Sequence, residues 1–296
     1  MTESIANAVR ILRNGGIVSF PTETVYGLGA DASNPLAIRQ IFAQKGRPTD
    51  HPLIVHISDQ AELTDWAHPD PRATVLAQHF WPGPLTLILN RQANVPDEVT
   101  GGLQTVGVRV PRHPIATELL RAFGGGLAAP SANRFGHLSP TTAAHVRAEF
   151  GDRIPIIDGG PCAVGVESTI IDLSGPHPAL LRPGGIPIDQ IEAVVGPCGS
   201  SSTPAPGTLP SHYAPVTSLL ISNTPLIDRD RLVAQGRNVA VLLATDPKTY
   251  AQHLYAELRR LDGLGVEILI AQTAENVGLG LAVNDRLRRA SADSCT

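Results

Sequence analysis

The sequence predicts an α/β protein in two parts: a mixed α/β twisted-sheet domain over residues 1–195, then a small α/β domain over 217–296. Three observations carry this. Short apolar runs, rich in β-branched residues, alternate with amphipathic helical stretches along the chain. Four polar motifs fall at the ends of those runs: PTETVYGLGA at 21–30, KGRPTDHPLIVHI at 45–57, APSANRFGHLSPT at 129–141 and GVESTIIDL at 165–173. Between the two parts, GPCGSSSTPAPGTLPSHYAP is dense in Gly, Ser and Pro, the composition of an extended linker (196–216). Hydroxyl, cationic and imidazole groups at strand ends mark the ligand-binding edge of a mostly parallel sheet, so the chain reads as an enzyme.

Taken in order, a first helix over 3–14 stops at Gly15-Gly16, and IVSFP at 17–21 is a short buried strand ending on proline. A turn carrying Thr22, Glu23, Thr24 and Tyr26 leads to a helix at 35–45 and a strand at 53–57. Helix 71–79 and the strand in WPGPLTLIL at 81–89 precede TVGVRVP at 105–111, whose alternation sets Thr105, Gly107 and Arg109 on one face. Helix 114–123, strand 126–131, helix 140–149 and strands 154–159, 168–173 and 178–184 complete the first part. Beyond the linker, strands at 218–222, 238–244 and 266–272 alternate with helices near 225–235, 247–261 and 278–290 in βαβα order. The last helix reads as a surface helix with a basic end that complements its dipole.

The 23 basic and 27 acidic residues, net −4, exclude a protein that coats nucleic acid through a general positive field. No apolar run reaches the length of a membrane span, and the mixed-charge start MTESIANAVRILRNGG lacks signal-peptide features. Cys162, Cys198 and Cys295 are too far apart for a disulfide framework or a zinc cluster, and a reducing cytoplasm is expected. A Walker loop and a dinucleotide fingerprint are both missing, so any nucleotide is held by other means.

Lys45, Arg47, Arg109 and Arg182 each fall at or beside an element end. A surface salt bridge explains any one of them, but four at sheet edges suit a polyphosphate, whose transfer concentrates negative charge. Ser131 and Asn133, with Ser139, Ser168 and Thr169, offer hydroxyl and amide groups around one cavity, although a helix cap explains either of the first two. His56 lies inside an apolar run as a core histidine would, and neither it nor His51 has the neighbours of a triad or a zinc site. Glu23 and Glu167 either bind a metal ion or tie their loops down.

PTETVYGLGA, the KxR of Lys45 and Arg47, the SxN of Ser131 and Asn133, and VESTIIDL followed by LLRPG resemble the YrdC-like domain of threonylcarbamoyl-AMP synthases. The likeness spans about residues 5–192 and continues through HYAP at 212–215 and the tail at 254–291, as in the two-domain form with its small Rossmann-like carboxyl-terminal domain. The resemblance implies a cytoplasmic nucleotidyltransferase that condenses L-threonine, bicarbonate and ATP, with magnesium, into L-threonylcarbamoyl-adenylate and pyrophosphate. It further implies a role in tRNA threonylcarbamoyladenosine modification at position 37, with a tRNA threonylcarbamoyl transferase downstream and contact with tRNA or double-stranded RNA. Residue by residue, it assigns Thr24, His56, Arg109 and Ser168 to threonine, Arg109 by a fork to the carboxylate. It assigns Arg47, His51, Thr105, Ser131, Ser139, Arg182 and Tyr213 to ATP or the adenylate, and Lys45, Arg47, Ser131 and Asn133 to catalysis beside the phosphates.

Two departures stand out. His51 replaces a frequent Asn, and Thr208, Leu209, Pro210 and Ser211 replace a stretch that usually carries a cation. The linker is expected to be mobile until Tyr213 closes over nucleotide. Two other classes compete: a non-catalytic module that holds double-stranded RNA or tRNA, and a carbamoyl-transferring maturation factor. The amino-acid pocket argues against the first, and the lack of CxxC pairs against the second.

Overall fold

The computed structural model describes residues 2–209 and 212–292; Pro210, Ser211 and Cys295, named above, lie outside the described residues. Helix α1 (Glu3–Arg13) starts on Thr2, whose side chain accepts from the Ile5 amide, and buries Ile5, Ala8, Val9 and Leu12 along one stripe. It packs beside β1 (Val18–Phe20) and β2 (Gly27–Asp31). Helix α2 (Pro35–Lys45) is capped by Asn34, begins on proline and ends at Gly46, which is left-handed at φ +63°. Then come β3 (Ile54–His56), the short α3 (Leu63–Trp66), α4 (Pro71–Phe80), β4 (Leu85–Asn90), the short α5 (Asp97–Thr100) and β5 (Thr105–Arg109). Helix α6 (Pro114–Phe123), β6 (Leu127–Ala128), α7 (Ala143–Phe150), β7 (Thr169–Asp172), β8 (Ala179–Arg182) and α8 (Ile188–Val195) close the first unit.

Its eight strands form one sheet in the order β1-β2-β6-β3-β5-β4-β7-β8. Only β3/β5 and β4/β7 pair in parallel, so the sheet is mixed, and the expectation of a mostly parallel one is corrected. Two local expectations also change. GLGAD, given no element of its own in the sequence reading, is strand β2, paired between β1 and β6. IPIIDG at 154–159 is not a ladder strand: Ser19 pairs with the stretch through a single bridge to Ile156, since Pro155 has no amide to donate.

The second unit holds β9 (Ser218–Ser222), α9 (Pro225–Ala234), β10 (Val239–Leu242), α10 (Pro247–Asp262), β11 (Ile268–Gln272) and α11 (Leu279–Ala290). Its sheet, β10-β11-β9, is parallel throughout, as βαβ connections require. The described residues between the units run along the first: Ser201 and Thr203 hydroxyls donate to Asp172, and the Ala214 amide donates to the Gly136 carbonyl. One apolar cluster joins Val25, Leu138 and Val166 of the first unit and Tyr213 of the linker to Tyr255, Leu258 and Val283 of the second. Gly165, at φ +82°, lets this contact close, because a Cβ there would strike the backbone of Ala251 and Gln252 in α10. No described helix is long and apolar enough to cross a membrane.

Candidate active site

A cavity enclosing about 550 Å³ of atom-free space, part of it open to solvent, lies where the ends of β3, β5, β7 and β8 meet the turn after β1 and the linker. Pairing of β3 with β5 sets His56 opposite Arg109, which brings two distant motifs together. Arg109 is buried and ion-paired with Glu23 at 2.8 Å, while its Nε donates to the Gly83 carbonyl at 3.3 Å. Glu23 is fixed in turn by the Arg112 amide at 3.0 Å. His56 Nδ1 lies 3.2 Å from the Ile54 carbonyl, and burial with the nearby Arg109 charge lowers its pKa to about 3, so the imidazole is neutral. Thr24 shares a 2.8 Å contact with Thr22, whose hydroxyl donates to the Val25 carbonyl at 2.6 Å, and Ser168 pairs with Thr86 at 2.8 Å. Thr24, His56, Arg109 and Ser168 all line the cavity.

The cationic wall comes from three other elements. Arg47 follows the left-handed end of α2, donates to the Pro52 carbonyl at 3.0 Å and stacks on Phe135 at 5.9 Å. Burial and the Arg182 charge lower its pKa to about 10, and its Nε is buried with no partner among the described residues. Arg182, on β8, is braced by Ser168 and donates to the Pro206 carbonyl at 2.8 Å. Pro206, Gly207, His212 and Tyr213 bring the linker onto the same wall, beside Ser131. Tyr213 adopts φ +63°, a rare conformation for a non-glycine residue.

Five expected site residues do not line this cavity. Lys45 turns its ammonium under the SxN loop, donating to the Ser131 and Asn133 carbonyls at 2.6 and 2.5 Å. Asn133 is fully buried and donates to the Arg134 and His137 carbonyls, so it shapes the loop. Ser139 donates to Glu167 at 2.6 Å. His51 lines a neighbouring cleft that shares Arg47, Gly207 and His212 with the cavity. Thr105 starts β5 opposite Asn90, roughly 13 Å along the strand from Arg109 and outside the cavity. Alternation put both on one face, but a shared face is not a shared site.

Sequence reasoning gave no site role to Thr22, Pro206, Gly207 or His212; Thr22 had a signal in the first motif, beside Thr24, and His212 as the neighbour of Tyr213 in HYAP. Both of the carboxylates left open above are held by protein partners. Glu23 holds Arg109, and Glu167 accepts from Ser139, Tyr255 and Arg286. Burial alone would raise Glu167, but Arg286, Arg182 and these hydrogen bonds outweigh it and hold the pKa at about 2. Helix α11 is not a surface helix: Asp285 and Arg286 are buried against the first unit.

Residues 10–184 match the family model described as "Telomere recombination", and 186–292 the one described as "Threonylcarbamoyl-AMP synthase, C-terminal domain". The chain is 43% identical to the threonylcarbamoyl-AMP synthase of Pyrococcus abyssi, over 96% of this chain and 93% of that protein. It is 42% identical to that of Bacillus subtilis, over 97% and 92%. The crystal structure of P. abyssi Sua5 complexed with L-threonine superposes with a TM-score of 0.94 at 41% identity, covering 99% of this chain and 96% of that one. A cavity built from the YrdC-like motifs and closed by the linker, followed by a small parallel α/β unit, agrees with these matches: the chain belongs to the threonylcarbamoyl-AMP synthase family, in its two-domain form.

Proposed function

We propose that the chain is an L-threonylcarbamoyladenylate synthase, a nucleotidyltransferase acting on L-threonine, bicarbonate and ATP. The observation that carries this is the convergence of two chemically different residue sets on one cavity. Thr24, His56, Arg109 and Ser168 suit an amino acid, with a guanidinium for its carboxylate and a neutral imidazole beside it. Arg47, Arg182, Ser131 and Tyr213 suit a nucleotide and its phosphates. A groove for RNA alone has no use for the first set.

In this reading the threonine amine attacks bicarbonate; a C–N bond forms, water leaves, and the product is a carbamate. A carbamate oxygen then bonds to the α-phosphorus of ATP as the bond to pyrophosphate breaks. Arg47 and Arg182 meet the negative charge that gathers there, and Pro206, Gly207, His212 and Tyr213 of the linker keep water from the fragile carbamate. Magnesium is proposed to arrive on the ATP phosphates. Among the described residues no cluster of three acidic, His or Cys side chains could cage it, and the cavity carboxylate Glu167 is already held by Arg286. A place in tRNA threonylcarbamoyladenosine formation, with a transferase taking the product, belongs to the same proposal. Pyrophosphate release measured with each substrate omitted in turn tests it: release without threonine would contradict the assignment.

A further inference from the structure

The carboxylate on the cavity wall is held from the other domain. Arg286, from the middle of α11, is 1% exposed; its Nε lies 2.6 Å from Glu167, and its Nη1 donates to Asp285 at 2.7 Å and to the Pro183 carbonyl at 3.0 Å. Tyr255, from α10, donates to the same Glu167 carboxylate at 3.0 Å. The guanidinium carbon of Arg286 also lies 5.2 Å from the centre of the Tyr213 ring, and the Tyr255 ring packs beside that of Tyr213, centre to centre 5.8 Å. The next turn of α11 holds the linker itself: the His212 amide donates to the Arg289 carbonyl at 3.2 Å, and Arg289 donates to the Leu209 carbonyl. An ion pair this deep adds little stability over apolar residues of the same volume, so stability alone does not account for it. What it does accomplish is local: Glu167 is set in one orientation, and Tyr213 is kept in a backbone conformation it would otherwise rarely adopt.

We propose that Arg286 is a positioning residue through which the carboxyl-terminal domain fixes Glu167 and Tyr213 on the active-site wall, so that nucleotide binding depends on the second domain. The inference rests on the reading of the cavity as the threonine and ATP site. Its test uses the full chain and two variants, Arg286→Lys and Tyr255→Phe. Lysine keeps a positive charge beside Glu167 but removes the planar group under Tyr213, and phenylalanine removes only a hydroxyl. Three quantities are measured: threonine affinity by calorimetry, the KM for ATP from pyrophosphate release, and amide hydrogen exchange along the linker.

Arg286→Lys should raise the KM for ATP about tenfold, through the lost alignment of Tyr213, and leave threonine affinity within about twofold. Exchange at residues 212–214 should quicken while β3, β4 and β5 keep their protection. Tyr255→Phe should act in the same direction with smaller effect, and it decides the matter where the lysine variant does not fold. Unchanged ATP KM with unchanged linker exchange overturns the proposal. So does an equal loss of threonine and ATP affinity accompanied by faster exchange everywhere, which a purely structural contact would give. A wild-type chain inactive on threonine and ATP would instead defeat the functional reading, and linker exchange would still decide the positioning role.

Discussion

Replacing Arg109 separates the two tasks that the structure gives it. Its guanidinium neutralises Glu23 at 2.8 Å, and both side chains are only 4% exposed. Truncation to alanine therefore leaves a buried carboxylate without its counter-charge, a change worth about 3–5 kcal/mol of stability. Lysine keeps that charge, so Arg109→Lys should fold with a far smaller penalty. It cannot, however, offer the two parallel N–H groups that match a carboxylate, and the loss of such a charge-assisted fork is worth about 1.5–3 kcal/mol, or roughly ten- to more than a hundredfold in affinity. Titration of threonine into wild type, Arg109→Lys and Arg109→Ala by calorimetry, beside denaturant unfolding of each, resolves the two contributions. The expected pattern is weak threonine binding in both variants but marked destabilisation only in Arg109→Ala. Threonine bound by Arg109→Lys as tightly as by wild type would refute the assignment of the carboxylate to this residue.

Three further outcomes are expected. Arg47→Ala should raise the KM for ATP at least tenfold and leave threonine binding nearly intact, since one charge-assisted phosphate contact is lost; a matching loss for threonine would contradict the division of the cavity. Gly207→Ala should lower activity while the unfolding midpoint barely moves. Its φ is +72°, and a Cβ there would strike the Tyr213 hydroxyl and come within 2.7 Å of Arg182, pushing the linker off the wall; wild-type turnover would show that the close approach is unimportant. Stability should fall as pH drops below 6.5, because burial depresses both His56 and His212 to about 3, helped by Arg109 for the first and by Arg47, Lys45 and Arg182 for the second. The folded state then binds fewer protons than the unfolded chain between pH 3 and 6.5, so this contribution is complete above 6.5 and is lost on acidification, by up to about 1.4 kcal/mol per pH unit for each histidine. Denaturant midpoints that stay level from neutral pH down to about 5 would refute it.

Capped helices were the most legible elements. Asn34-Pro35, Asp70-Pro71 and His113-Pro114 each place a side-chain acceptor before a proline that opens the helix, a local signal that needs no tertiary help. Strand β2 was opaque for the opposite reason: a run with two glycines has no intrinsic preference for a strand, and only its neighbours β1 and β6 make it one. Arg47, Arg109, Ser168 and Arg182 stood out as polar groups at element ends, whereas Thr24, His56 and Tyr213 had a role only through the family resemblance; all of them, with Ser131, line the cavity. Lys45 looked like a phosphate ligand since its charge is visible in sequence while the carbonyls that absorb it are not. Arg286 was hidden by periodicity itself. Helical spacing gives a face, and only the docked first domain shows that this face is buried.

If one cavity joins threonine, bicarbonate and ATP, radiolabelled bicarbonate should pass its label into an adenylate that co-migrates with threonylcarbamoyl-AMP. Label is expected in that product only when threonine and ATP are both present, in step with pyrophosphate release. Pyrophosphate formed without label transfer, or label retained with threonine left out, would contradict it.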